Sequence, residues 1–97
     1  MNELELEIDL SVIKPKMYRV ILHNDDYSTF DFVVRVLVKI FHKSTDEAAR
    51  ITMEVDEKGA AIVGIYPKDI AETKVSMVTE MARQENFPLK ASCEEDL

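Results

Sequence analysis

From Thr29 to Lys43 the chain is so crowded with Val, Ile, Leu and Phe, many of them β-branched, that a strand could be argued from composition alone. The polar residues decide the matter. Asp31, Arg35, Lys39 and His42 recur every three or four positions and so form one stripe along a helix. A helix with so narrow a polar stripe must be enclosed over most of its circumference. It therefore has to be the central packing element, with Phe30, Val33, Leu37 and Phe41 on one face and Val34 and Ile40 nearby. Everything else in the chain has to supply cover for it.

The segments around it read as that cover. Met17 to His23 is a strand bounded by a polar turn at Asn24 to Ser28. Ser44 or Thr45 caps a second helix, Asp46 and Glu47 sit in its first turn where they complement the dipole, Ala48, Ile51 and Val55 form its inner face, and Gly59 ends it. Ala60 to Tyr66 reads as a buried strand. Pro67 suits the first turn of a third helix whose buried side is marked by Ile70, Met77, Val78 and Met81, running to about Gln84. Phe87-Pro88 breaks that helix, and Leu89 to Cys93 reads as a last strand. The predicted fold class is α+β: a single-domain α/β sandwich of order β-α-α-β-α-β, with a small three-stranded antiparallel sheet packed on three helices. In the first twelve residues Leu4, Leu6, Ile8, Leu10 and Val12 alternate with mostly acidic neighbours. Lys14-Pro15-Lys16 separates this stretch from the rest, so residues 1–16 are expected to be a flexible extension able to add a strand to a partner's edge, and 17–97 the core domain.

With 97 residues and 46% hydrophobic content, the chain can bury roughly two thirds of its unfolded surface in one core. Its net charge of −7 is concentrated at the ends, and the core mixes twelve acids with ten bases without a basic stripe. That distribution excludes sequence-independent nucleic-acid binding and docking on anionic membranes, and points to peptide or protein partners. The single Cys93 permits neither an intramolecular disulfide nor a thiolate metal site. The N-terminus lacks the pattern of an export signal, and the longest apolar run, Ala60 to Tyr66, is seven residues, so a cytoplasmic location is expected.

Chemistry concentrates in the turn His23-Asn24-Asp25-Asp26-Tyr27-Ser28, where an amide and two carboxylates stand between an apolar strand and an apolar helix. An α-ammonium group is a compact cation with three donors, and carboxylate and amide oxygens beside an apolar pocket suit a peptide's N-terminus. A plain turn with a helix cap would use the same residues. No glycine-rich phosphate loop or nucleophile turn is present, so no catalytic residue and no cofactor is expected. His23, Asp25 and Asp26 lie too close together on one short turn to aim three ligands at a metal ion, and no metal site is expected.

The stretch from Met17 to Ser28, followed by Phe32-Val33, Gly64-Ile65-Tyr66, Ile70-Ala71-Glu72-Thr73-Lys74-Val75 and Phe87-Pro88-Leu89, resembles the ClpS adaptor family. The resemblance covers nearly all of the chain from Met17 onward, with the motifs in the family's order and separations. It implies a bacterial, non-enzymatic adaptor of the N-end rule. Such an adaptor binds proteins with N-terminal Leu, Phe, Tyr or Trp and delivers them to the N-domain of a ClpA-type AAA+ unfoldase for degradation by ClpP. Carried onto this sequence, Asn24 and Asp26 hold the α-amino group and Asp25 supports the turn and the bound peptide's backbone. The side-chain pocket is formed by Leu22, Ser28, Phe30, Val33, Thr52, Val55 and Leu89, and the unfoldase meets Asp69, Glu72 and Lys74.

Three positions depart from the family pattern. Asp56 stands where members usually carry a His that also meets the α-amino group, Thr52 where a Met lines the pocket, and Phe30 at a position that is often Met. Asp56 is expected to take over by pairing with the ammonium, and Asp25, Asp26 and Asp56 to repel one another in the empty site and raise one another's pKa. The principal alternative is an interaction module, since the same order of elements resembles the C-terminal domain of the bacterial ribosomal stalk protein. Such a module would ignore free α-amino groups.

Overall fold

The computed structural model describes residues 15–97; the extension expected at residues 1–16 lies outside them, apart from Pro15 and Lys16. The elements are β1 (Met17–His23), α1 (Phe30–Lys39), α2 (Thr45–Lys58), β2 (Ala60–Pro67), α3 (Lys68–Gln84) and β3 (Lys90–Glu95). The sheet has three strands in the order β2-β1-β3, and β1 pairs antiparallel with both neighbours. The α+β sandwich of order β-α-α-β-α-β read from the sequence is the fold observed.

The first strand sits in the middle because its inward residues, Val20 and Leu22, are wholly enclosed. A strand with one fully covered apolar row is stable only where neighbours satisfy its backbone on both sides. β2 pairs from Met17↔Pro67 to His23↔Ala60 with a register shift at Val20/Ile21, and β3 pairs from Tyr18↔Glu95 to His23↔Lys90. β2 is buried on one face only. Ala61 and Val63 point inward, whereas Ile62 and Ile65 are exposed, which corrects the reading of a fully buried strand.

α1 starts where Thr29 Oγ1 accepts the Phe32 N–H at 3.2 Å. It ends at Lys39, four residues before the predicted Lys43: Ile40 closes the last turn, His42 adopts a left-handed φ of 57°, and the Lys43 N–H reaches back to the Leu37 carbonyl at 3.1 Å. Its enclosed residues are Phe32, Val33, Val36 and Leu37, continued by Ile40 and Phe41. Phe30, expected on the buried face, is 48% exposed. On a helix apolar nearly all round, sequence alone leaves the orientation about its axis undetermined.

α2 is capped by Ser44 Oγ, which accepts the Glu47 N–H at 3.1 Å, and terminated by Gly59 at φ 86°, where a left-handed residue without a Cβ is needed. α3 buries Ala71, Val78 and Ala82, with Val75 and Met81 partly covered. Ile70 and Met77, predicted for that face, are 44% and 45% exposed. The helix lies against the sheet through small residues, and close approach selects Ala over the larger apolar side chains that periodicity highlights. α3 closes with Asn86 at φ 62°, the Asn86 and Phe87 N–H groups returning to the Arg83 and Ala82 carbonyls at 3.2 and 2.9 Å. This aims Phe87 at Phe32, ring centroids 4.6 Å apart.

Candidate functional site

Where β1 gives way to α1, the polar turn is fixed at both ends. The Asn24 N–H donates to the Gly59 carbonyl at 2.8 Å, which ties the turn to the corner between α2 and β2. Asp25 folds the rest around its own carboxylate. Its Oδ1 accepts the N–H groups of Tyr27 and Ser28 at 2.8 and 2.7 Å, and its Oδ2 accepts the Ser28 hydroxyl at 2.7 Å. This is the local side-chain to backbone bonding that Asp favours in turns. Burial pushes the Asp25 carboxyl up, but the bonds from Ser28 and Tyr27 together outweigh it and hold the carboxyl below its ordinary value. The mutual upward shift expected of three neighbouring acids is therefore not seen at Asp25, because donors rather than other carboxylates surround it.

With Asp25 committed to the turn, Asn24 and Asp26 are left facing outward, and Asp56 reaches the same place from α2. Among the described residues, these three side chains form no hydrogen bond or ion pair. Together with Asp25, Ser28, Phe30, Val33, Thr52 and Val55 they line one cavity of about 440 Å³. Among the described residues no basic side chain lines it, so its three carboxylates carry uncompensated negative charge, while Phe30, Val33 and Val55 supply apolar wall. A cation with several donors, attached to an apolar group, matches this division.

Two residues expected in the pocket are elsewhere. Leu22 and Leu89 do not line the cavity; they are enclosed in the same core cluster as Val33 and Val55. Leu22 is an inward residue of the central strand, and the sheet is covered by helices at that level, so its side chain goes to the core. What side-chain identity alone did not give is the destination of the Thr52 hydroxyl, which donates to the Ala48 carbonyl at 2.7 Å. The signal is the i to i−4 spacing available to any Thr inside a helix. His23 lies away from the cavity, its Nε2 2.7 Å from Ser92 Oγ. Among the described residues, no three His, Cys, Asp or Glu side chains are grouped to hold a metal ion. None of the helices described is long and apolar enough to cross a membrane.

The second predicted surface is at the start of α3. Asp69 and Glu72 are exposed and line a shallow groove with Lys16, Tyr18, Pro67 and Lys68. Lys74 points elsewhere. Its Nζ donates to the Ile40 carbonyl at 2.6 Å and stands 5.6 Å from the centre of the Tyr66 ring.

The family described as "ATP-dependent Clp protease adaptor protein ClpS" matches residues 13–92. A relative from Nautilia profundicola, described as ATP-dependent Clp protease adapter protein ClpS, is 49% identical over 90 residues, covering 93% of this chain and 93% of its own. Another of the same description, from Syntrophus aciditrophicus, is 50% identical over 94 residues, covering 97% of this chain and 88% of its own. Among solved structures, Agrobacterium tumefaciens ClpS2 bound to L-phenylalaninamide superposes with a TM-score of 0.83 at 38% identity, over 86% of this chain and all of that one. Sequence, fold and family pattern agree across nearly the whole length, which decides against the stalk-like module: the chain belongs to the ClpS family of ATP-dependent Clp protease adaptors.

Proposed function

We propose that the protein is a cytoplasmic, non-catalytic adaptor. It captures proteins through an N-terminal Leu, Phe, Tyr or Trp and passes them to the N-domain of a ClpA-type unfoldase for degradation by ClpP. The observation that carries this reading is the meeting of Asn24, Asp26 and Asp56 with Phe30, Val33, Thr52 and Val55 in one cavity. Asn24 and the two carboxylates accept from the substrate's α-ammonium group, and Asp56 supplies a charge where the family pattern has an imidazole. Asp25 preserves the turn rather than meeting the ligand, since its three acceptor bonds are already made within it. The side chain of the first residue enters the apolar part. The solved relative holding L-phenylalaninamide supports this division, because that ligand combines a free amine with a benzyl group. Asp69 and Glu72 are the accessible members of the delivery surface, and the N-terminal extension serves in handover.

The test is fluorescence anisotropy with labelled peptides starting with Phe, Leu, Trp or Ala, each with a free and an acetylated amine. Acetylation is expected to weaken binding at least tenfold, on the order of one charge-assisted hydrogen bond. Equal affinity for free and blocked peptides, or for Ala and Phe, refutes the proposal. Repeated from about pH 5 to 7, the titration is expected to show no step near the imidazole value of about 6.5, because no histidine lines the cavity. A step there would assign the ammonium to a different site.

A further inference from the structure

We infer that residues 4–12, which lie outside the described residues, add a fourth strand to the free edge of β2 in the same molecule, running parallel to it. The sheet order β2-β1-β3 leaves β2 with one unpaired side. An edge of that kind is ordinarily blunted by charged side chains. β3, at the opposite edge, carries Lys90, Glu94 and Glu95, whereas the eight residues of β2 include no charge and are guarded by a register shift against β1 and by the terminal Pro67. On the open face of β2, away from the helices, Ile62 and Ile65 are 50% and 47% exposed, and Ile21 of β1 stands opposite Ile62. The cover that fits is an extended segment with one apolar row and a backbone free to pair.

Residues 4–12 have that pattern and are tethered in the right place. Leu4, Leu6, Ile8, Leu10 and Val12 share one parity and Glu3, Glu5, Glu7 and Asp9 the other, so as a strand the segment has one apolar and one acidic face. Pro15 and Lys16 lead into β1 beside Pro67 and Lys68, so the chain arrives at the end of β2. The Lys16 ammonium reaches across to Glu95, 3.7 Å away, but the acidic face of the segment is repelled by Glu94, Glu95 and Asp96 at the β3 side. Passing from β1 to a position beyond β2 crosses about 10 Å, two strand spacings, and residues 13–16 span up to about 13 Å. The tether fixes the direction: residue 12 lies near Pro67 and residue 4 near Ala60. With the apolar row beside Ile62 and Ile65, the acidic row turns toward α2. Its first members come level with Arg50 and Lys58, which line a groove with Glu54, Ala60 and Ile62. Those two cations pair with Glu47 and Glu54 on exposed turns of their own helix, contacts weak enough to be shared.

The experiment is amide hydrogen exchange read by mass spectrometry on the full chain and on variants, following peptides from β2 and β3. The double variant Leu6→Pro with Glu7→Pro removes two successive N–H groups, one of which faces β2, and proline cannot join a ladder. In the natural chain β2 is expected to exchange about tenfold more slowly than in this variant, the scale of several cross-strand pairs, while β3 does not differ. Removal of residues 1–13 is expected to match the proline variant. Arg50→Glu with Lys58→Glu is expected to weaken the protection of β2 by about two- to fivefold, and adding Glu5→Lys with Glu7→Lys to restore it. Exchange of β2 at one rate in the natural chain, the proline variant and the truncated chain overturns the proposal. A change in β3 rather than β2 overturns the choice of edge, and no effect of the charge reversal overturns the facing of the acidic row. Protection of β2 that falls on dilution assigns the edge to a second copy of the chain and overturns the intramolecular strand.

Discussion

Asp25 gathers two backbone N–H groups and one hydroxyl on a single carboxylate, and so shapes the segment that presents its neighbours Asn24 and Asp26. Asp25→Ala is predicted to cost about 1 kcal/mol, the scale of losing a helix-capping oxygen, read from the midpoint of urea unfolding. The carboxyl is held below its ordinary 3.8 in the folded protein. The stabilisation is therefore complete above the unfolded-state value and is lost as pH falls through the folded-state value. The difference between the natural chain and Asp25→Ala should accordingly be full at pH 6 and shrink below about pH 4. A difference that grows on acidification would contradict this assignment of the bonds. At this scale the sequence was informative about which residues surround the cavity and silent about what each atom does. Asn, Asp, Phe and Val beside one another announced a polar mouth and an apolar interior. That Thr52 turns its oxygen away, and that Leu22 and Leu89 face the core, depends on side-chain directions fixed by packing across elements far apart in the chain.

At the scale of elements, two separated motifs of the sequence prove to be one physical device. Gly64 has no side chain, and a Cβ there would collide with the ring of Tyr66 folded over it. The ring so placed faces Lys74, and the ammonium of Lys74 caps the carbonyl of Ile40 where α1 ends. Burial raises the Tyr66 phenol above its ordinary value, consistent with a ring tucked against the backbone. Lys74→Met keeps the stem but removes the donor, and is predicted to lower stability by about 1 kcal/mol. That corresponds to a fall of about 4–8 °C in the thermal midpoint of a chain this size, measured by circular dichroism. An unchanged midpoint would return Lys74 to a purely external role. Sequence periodicity located α3 and its end at Gln84, but it favoured Ile70 and Met77 over Ala71 and Ala82 for the buried side. Bulk is a poor guide where a helix lies close to a sheet.

For the molecule as a whole, Phe32 joins the layers. It is fully enclosed, packs on Phe87 beyond the end of α3, and lies 5.4 Å beneath the guanidinium of Arg35, which itself grips Glu85 through two bonds of 2.7 Å. Phe32→Ala is predicted to cost about 3–5 kcal/mol, a large share of the roughly 5–15 kcal/mol available to a small domain. Chemical denaturation should show it as a displaced single transition, and a loss below 1 kcal/mol would mean that the site collapses around the vacancy. The order of elements was legible because each helix and strand announces itself locally. The lateral order β2-β1-β3 was not, because pairing joins residues distant in sequence. That order has a temporal side. β1 is made first, yet one of its edges waits for β3, whose register joins Tyr18 to Glu95. On the ribosome the central strand of the growing chain therefore stays open along one side until β3 has emerged, and the sheet can close only after that.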